Sequence, residues 1–347
     1  MAFARIPGNA GIKSILRSAL RRKRVPPTLL FAGPEGVGQR ETALELAKAL
    51  NCLQLSDDAC DVCASCRTIE DGCHPDVVDV KKLPIKNDRH KNADPDEEAK
   101  DVTVIKIEQM REAIGLAAMK PMTARKRVFL IDDASEMSPD SANSSLKILE
   151  EPPSYAQFIL ITSNPDQLLP TIKSRCQTFD FGPIPTEEIV SVLRQRGFAE
   201  GQARTMAQVV QGNYQRAMTM DWDDVQAERA TAWELFRSML RDEDGSAFLR
   251  RFAFGRKSAS REELEATLEL FVGFLRDLLL LGETDGSGRL FNPDFEDALR
   301  EVASSLEPGR SLRMLSAVEG ALFFLDKKMN AGLLAGTFYA RMTGSQP

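Results

Sequence analysis

Four cysteines in the N-terminal part of the chain have a spacing that suits metal binding. They follow the pattern C-x7-C-x2-C-x2-C within fifteen residues: Cys52, Cys60, Cys63 and Cys66. Structural zinc binds four thiolates of this kind in a tetrahedron, and a filled tetrahedron leaves no open position for catalysis. The alternative is a set of free thiols, which would leave a short loop without the binding energy that zinc supplies. We therefore predict a structural Zn²⁺ site, with Cys73 and His74 outside the ligand set.

A glycine-rich turn follows the first apolar run of the chain and reads Gly33-Pro34-Glu35-Gly36-Val37-Gly38-Gln39-Arg40. A strand, such a turn and a helix N-terminus together form a phosphate-binding P-loop. A working P-loop continues with a lysine for the β and γ phosphates and a serine or threonine for Mg²⁺. Here those positions hold Gln39, which has no charge, and Arg40, which has no oxygen for a metal. The sequence predicts a vestigial nucleotide site that does not hydrolyse ATP, formed by Gly33, Gly36, Gly38, Gln39 and Arg40.

Two acidic residues, Asp132 and Asp133, directly follow the apolar run that ends at Ile131. In a hydrolysing site the first acid of such a pair orients Mg²⁺, and the second, usually a glutamate, polarises water. Aspartates at a strand end also serve as helix caps, so the pair alone does not identify a site. Because it comes after a glycine-rich loop, we assign both aspartates to the vestigial nucleotide site.

Two arginines later in the chain have a functional and a simpler interpretation. Arg175, in Ser174-Arg175-Cys176, either pairs with a carboxylate or reaches across a subunit interface to the γ-phosphate of a neighbour. Arg216, in the segment Gly212-Asn213-Tyr214-Gln215-Arg216-Ala217, either lies over the nucleotide of the vestigial site or is a charge on a helix surface.

Composition bounds the class of protein to which these residues belong. The chain has 347 residues, 43% hydrophobic and 28% charged, which is enough for two to three domains with proper cores. No uncharged apolar run reaches the ~18 residues that a membrane span requires. The net charge of −6 excludes a protein that coats nucleic acid with its whole surface. Closely clustered cysteines argue against a secreted disulfide framework, so we expect a reducing, cytoplasmic setting.

Short apolar runs alternate with helical patterns in the first half of the chain. Five runs are predicted as buried strands: Thr28–Ala32, Val77–Val80, Val128–Ile131, Phe158–Thr162 and Gln177–Phe181. Between them, one predicted helix carries an apolar stripe at Ile107, Met110, Ile114 and Ala118. This alternation predicts an α/β fold with a five-stranded parallel sheet.

The second half of the chain is predicted to be helical. One stripe there consists of Leu264, Leu268, Phe271, Leu275 and Leu278. We expect three domains: residues 1–182 with the sheet and a zinc module at 52–66, a small helical domain at 183–222, and a helical bundle at 223–347. The polar stretch from Lys81 to Asp101, and above all 84–101, has few apolar anchors and is predicted to be a mobile surface insertion.

Taken in order, these motifs resemble one known family. The segments GPEGVGQRE, the cysteine quartet, HPD, VFLIDDASEM, LKILEEPP and LLPTIKSRCQ are similar to those of bacterial clamp-loader AAA+ subunits, over essentially the whole chain. Within that family, the degraded P-loop with a retained cysteine quartet and SRC motif resembles the delta-prime branch rather than the ATPase motor branch, gamma/tau. The resemblance implies an AAA+ domain, a helical lid domain and a helical collar domain that serves oligomerisation.

The resemblance also implies a function in DNA replication. A subunit of this kind is a non-hydrolysing stator of the DNA polymerase III clamp loader, which places the sliding clamp on primed DNA. Its expected partners are the gamma/tau motor subunit, the delta subunit, the clamp and DNA, and Arg175 is expected to act as an arginine finger in the ATP site of the motor subunit. Two alternatives stay open: a self-sufficient AAA+ ATPase with a divergent P-loop, and a zinc-dependent nucleic-acid-binding module.

Overall fold

The chain is described by a computed structural model in eight segments, which are residues 2–54, 57–84, 103–240, 246–253, 259–283, 290–307, 309–327 and 329–343. Two compact units are present. One comprises Met1–Val192 together with Gln211–Met218, and the other comprises Leu193–Val210 together with Thr219–Pro347. The three-domain division expected from the sequence stays a prediction.

The first unit is built on a five-stranded parallel sheet. Its strands are β1 Thr28–Ala32, β2 Val77–Val80, β5 Arg127–Ile131, β6 Ala156–Thr162 and β7 Gln177–Asp180, arranged in the order β2-β5-β6-β1-β7. The three central strands are buried along their whole length, because both faces of a parallel sheet are covered. The predicted five-stranded parallel sheet is confirmed, but the prediction that all five strands are buried was wrong for the two edge strands, because β7 is mostly exposed and β2 is only partly buried. Its carboxyl-terminal edge brings the residues after β1, β2 and β5 together.

The helices that precede or lie between the strands are α1 Ala10–Arg21, α2 Gln39–Asn51, α3 Ala64–Glu70, α4 Ile107–Ala117, α5 Pro139–Glu150 and α6 Pro170–Lys173. After the last strand come α7 Thr186–Gln195, α8 Glu200–Val209, which belongs to the second unit, and α9 Tyr214–Thr219. The stripe predicted for α4 was partly wrong. Met110, Ala113 and Ala117 are buried, whereas Ala118 is exposed. Small alanines let α4 pack closely against α5, a preference that hydrophobicity alone does not reveal.

A short antiparallel pair flanks the polar insertion predicted from the sequence. Strand β3, Leu83–Pro84, pairs with β4, Thr103–Val104. The start of the predicted insertion is therefore regular structure, contrary to expectation. The remainder of that prediction, residues 85–101, falls outside the described residues.

The second unit contains the C-terminal helices α10 Trp222–Leu240, α11 Ser246–Phe252, α12 Arg261–Glu283, α13 Glu296–Ser305, α14 Arg310–Asp326 and α15 Ala331–Thr343. Every member of the predicted α12 stripe is buried, which confirms it. Aromatic rings fill much of this core, among them Trp233, Phe236, Phe248, Phe271, Phe274 and Phe338. No helix among the described residues is long and apolar enough to cross a membrane.

Candidate functional site

The loop between β1 and α2 can be formed only with glycines at certain positions. Gly33, Gly36 and Gly38 have φ angles of 148°, 74° and 96°, in the region that residues with a side chain rarely adopt. A Cβ on Gly33 would lie 2.2 Å from the carbonyl oxygen of Phe181, and one on Gly36 would lie 2.0 Å from Oδ1 of Asn213. The glycine spacing therefore serves the shape of the loop and its packing, whether or not a phosphate binds.

Gln39, the first residue of α2, is turned back into this loop. Its Nε2 donates hydrogen bonds to the carbonyl oxygens of Gly33, at 2.8 Å, and Pro34, at 2.7 Å. The residue is buried. The side chain at the position of the P-loop lysine is therefore already hydrogen-bonded to the backbone of its own loop.

Arg40 lies between two acids of the sheet edge. Nη1 donates to Oδ2 of Asp132 at 2.7 Å, and Nη2 donates to Oδ2 of Asp79 at 2.6 Å. Burial works against the charged form of Arg40, but the two carboxylates outweigh it and raise the pKa of the guanidinium. The carboxylate of Asp132, which was expected to orient Mg²⁺, is therefore already paired with the guanidinium of Arg40.

The two acids after β5 differ in their surroundings. Burial raises the pKa of Asp132, and the attraction of Arg40 offsets this only in part. Asp133 is paired with Lys82, whose Nζ lies 2.9 Å from Oδ2. Asp79 and Lys82 were missed by the sequence reasoning. The signal for both is the strand order, because β2 lies beside β5 and the residues at its carboxyl end reach the same edge.

A cleft of about 230 Å³ opens at this edge. Five of the residues predicted for the vestigial site line it, namely Gly36, Gln39, Arg40, Asp132 and Asp133. Gly33 and Gly38 shape the loop but do not line the cleft, and Gln215 lines it where Arg216 was predicted to do so.

Asn213 and the first residues of α9 lie directly on the loop. The backbone N–H of Gln215 donates to the carbonyl oxygen of Gly36 at 3.2 Å. Asn213 contacts Gly36 and accepts a hydrogen bond from the backbone N–H of Arg216 at 2.8 Å. The start of α9 is therefore joined to the loop by the chain's own atoms.

Arg175 follows α6 and is not among the residues that line the cleft. Its Nε donates to Oε2 of Glu150 at 2.8 Å, and Nη2 lies 2.8 Å from the same oxygen. Nη1 donates to the carbonyl oxygen of Thr171 at 2.9 Å. The Arg175 side chain is 29% exposed and that of Glu150 is 56% exposed, so the pair lies at the surface of the unit. Both interpretations from the sequence stay compatible with this arrangement.

The four predicted metal ligands converge. Their sulfur atoms lie within 4.8 Å of one another, and Sγ of Cys60 is 4.0 Å from Sγ of Cys66. A tetrahedron with Zn–S bonds of about 2.3 Å has edges of roughly 3.8 Å, so the cluster fits a zinc ion. Cys73 is exposed, and the ring of His74 accepts a hydrogen bond from the backbone of Asp76. Neither belongs to the cluster, as predicted.

The cluster favours thiolate at one position. Burial opposes ionisation of Cys63, but backbone N–H groups of Cys66 and Leu53 donate to its sulfur, and the net effect lowers its pKa to about 6. Burial raises the pKa of Cys66. A cation that binds all four sulfurs would remove this imbalance, because metal ligation deprotonates every thiol.

A buried lysine that sequence reasoning missed joins α2 to the cysteine segment. Lys48 is 1% exposed, and its Nζ contacts Glu45 at 2.7 Å, Asp61 at 3.0 Å and also Glu70. Asp61 in addition pairs with Arg5 at 2.5 Å. The sequence signal was weak, since one lysine on the helix α2 looks like a solvated charge.

Comparisons with known proteins place these features in a family. The model of the family described as DNA polymerase III, delta subunit, matches residues 8–185. The chain is 26% identical over 311 residues to the DNA polymerase III subunit delta' of Bacillus subtilis, which covers 89% of this chain and 88% of the relative.

Two further proteins are similar to the chain. The tau subunit of Bacillus subtilis is 32% identical over 225 residues, which is 63% of this chain but 37% of the relative. A solved gamma subunit-related protein of Thermotoga maritima aligns with a TM-score of 0.40 and 14% identity, over 96% of this chain and 99% of that chain. Full-length agreement is thus found with the delta' relative rather than with tau.

Proposed function

This chain belongs to the DNA polymerase III delta-subunit family, and we propose that it is a clamp-loader stator whose own cleft hydrolyses no ATP and whose Arg175 completes the ATP site of a neighbouring subunit. The resemblance to clamp-loader subunits found in the sequence is confirmed by the family match and by the delta' relative. The finer assignment depends on the cleft and on Arg175.

The observation that carries the proposal is the contact between Arg40 and Asp132. Mg²⁺ would have to displace a guanidinium that bonds Asp132 at 2.7 Å and Asp79 at 2.6 Å. The phosphates would also lack a charge-assisted contact from the P-loop lysine, which is worth about 1.5–3 kcal/mol. The occupied Asp132 and the missing lysine both weaken the binding of Mg·ATP, so hydrolysis at this cleft is not expected.

The contact between the start of α9 and the glycine-rich loop suits a stator. Asn213 and Gln215 contact Gly36 directly, so the chain's own atoms join these two segments. A link made by the chain itself does not change when ATP is bound or hydrolysed elsewhere. We expect this unit to keep one conformation through the ATP cycle.

Arg175 has the properties that an in-trans arginine finger needs. It is partly exposed, its guanidinium is always charged, and two of its five N–H donors have no partner in the contacts with Glu150 and Thr171. A finger supplied by a neighbour contributes about 10³–10⁵ in rate to phosphoryl transfer.

The cysteine cluster is proposed to hold a structural Zn²⁺. Four sulfurs would fill the coordination sphere, so the ion would stabilise the segment and carry out no chemistry of its own. The proposed partners are a tau/gamma-type motor subunit, a delta subunit, the sliding clamp and primed DNA, in a cytoplasmic hetero-oligomer. The similarity to delta' and tau subunits supports this assembly.

The proposal is tested in two steps. The isolated chain is expected to show no ATP turnover with Mg²⁺ present; turnover that Asp132→Asn abolishes would instead identify a self-sufficient ATPase. In a loader reconstituted with the motor and delta subunits, Arg175→Ala is expected to lower clamp- and DNA-stimulated turnover about 10³-fold. Lys173→Ala, two residues away and paired only with the exposed Asp166 among the contacts described, is the matched control.

A further inference from the structure

We propose that Glu150 is a positioning residue for Arg175 and that it sets the direction in which the guanidinium faces the neighbouring ATP site. This inference rests on the proposed function, because it explains how the finger is oriented before the subunits meet. It assigns a role to the LKILEEPP segment, in which Glu150 is the last residue of α5.

The geometry divides the guanidinium into a held part and an offered part. Glu150 Oε2 faces the edge formed by Nε and Nη2, at 2.8 Å from each, and Thr171 takes one proton of Nη1. Of the five N–H donors, one on Nη1 and one on Nη2 are left over. Two donors on the terminal nitrogens suit the two-point binding of a phosphate.

Arg40 shows the opposite arrangement on the same sheet unit. Its Nη1 donates to Asp132 and, at 3.4 Å, to Asp79, and its Nη2 donates to Asp79, so both terminal nitrogens are bound by acids of its own cleft edge. Arg175 is bound by one acid, Glu150, which contacts the edge of the guanidinium formed by Nε and Nη2. The difference separates an arginine that is used up within the chain from one that is oriented for use outside it.

The surface position of the pair argues that it does not serve folding. The Glu150 side chain is 56% exposed and that of Arg175 is 29% exposed, and ion pairs with this exposure contribute little to stability. The value of the contact is then in fixing a long side chain that would otherwise sample many rotamers. A misplaced catalytic group can lower a rate about 100-fold.

The experiment measures clamp- and DNA-stimulated ATP turnover in the reconstituted loader, with subunit assembly followed in parallel. Glu150→Ala is expected to lower kcat about 10- to 100-fold with assembly intact. Glu150→Gln keeps an acceptor oxygen but loses the charge, so its kcat should lie between those of Glu150→Ala and the native chain. The adjacent exposed Glu151→Ala is the matched control and should leave turnover unchanged.

The double variant separates this inference from the proposed function. If Glu150 acts only through Arg175, then Arg175→Ala with Glu150→Ala turns over as slowly as Arg175→Ala alone. If the two losses multiply, or if both Glu150 variants match the native chain while Arg175→Ala is slow, the inference is overturned and the arginine finger stands. If Arg175→Ala itself has no effect, the proposed function fails.

Discussion

Helix α2 lies between two sites, the cleft and the cysteine cluster, whose polar groups find their partners in different ways. At its N-terminal end, Gln39 and Arg40 line the cleft, and both are already bound by groups of the same chain. Beyond its C-terminal end, four cysteine sulfurs converge within 4.8 Å of one another. A site whose polar groups are satisfied by its own residues gains little from a ligand, whereas four clustered thiols can hold a metal ion. Under the proposed function, the same unit would bind no nucleotide for hydrolysis and would hold a structural metal.

The largest expected effect is at the cysteine end. Removing zinc with a chelator, or replacing Cys66 with Ser, should abolish one bound zinc ion in native mass spectrometry and lower the melting temperature markedly. Structural zinc contributes about 10–16 kcal/mol of apparent binding energy. Cys73→Ser is the matched control, since this thiol is exposed and outside the cluster. A chain that holds no zinc and melts normally would break the comparison.

The connection between the two ends depends on Lys48. Lys48→Met keeps the length of the side chain but leaves Glu45, Asp61 and Glu70 without their shared cation, and should cost about 3–5 kcal/mol in urea unfolding at neutral pH. Burial already raises the pKa of Glu45, and loss of Lys48 raises it further. The deficit should therefore shrink as the pH falls through the carboxylate range and these acids protonate.

The exposed Lys120→Met variant serves as the control for that measurement, and it should unfold like the native chain at every pH. A deficit in Lys48→Met that stays constant from neutral to acidic pH would mean that packing, rather than charge, holds α2 to the cysteine segment.

Two substitutions at the cleft should restore nucleotide binding. The double change Gln39→Lys with Arg40→Thr restores the P-loop lysine and hydroxyl and frees Asp132, so we expect affinity for Mg·ATP to rise about 10- to 100-fold in calorimetry. Gln39→Lys alone should gain less, because Arg40 still occupies Asp132. Equal affinity in the native chain and the double variant would show that Gln39 and Arg40 do not prevent the binding of Mg·ATP.

The smallest effect is expected at Asp79. Asp79→Asn removes one of the two acids that bind Arg40, but both side chains are about one-third exposed and Asp132 remains. The change in unfolding free energy should stay within about 1 kcal/mol. A loss of several kcal/mol would mean that Asp79, and not Asp132, anchors the guanidinium.

The sheet and the cysteine cluster were predictable because each depends on local sequence. Buried parallel strands are continuous apolar runs, and the cysteine spacing brings the ligands together within one short segment. The contacts of Arg40 with Asp79 and of Lys82 with Asp133 were not predictable, since they depend on which strands are neighbours. The same holds for Lys48, whose burial comes from the cysteine segment folding over α2. The insertion at 85–101 and the three-domain division stay predictions.

Under the proposed function, the cleft of this chain hydrolyses no ATP, and the chain contributes to ATP hydrolysis through Arg175. The most direct measurement compares two versions of one reconstituted loader, in which this chain carries either Arg175→Ala or Asp132→Asn. We predict that clamp- and DNA-stimulated turnover falls about 10³-fold with Arg175→Ala and is unchanged with Asp132→Asn. Normal turnover with Arg175→Ala, together with loss of turnover in Asp132→Asn, would contradict the account.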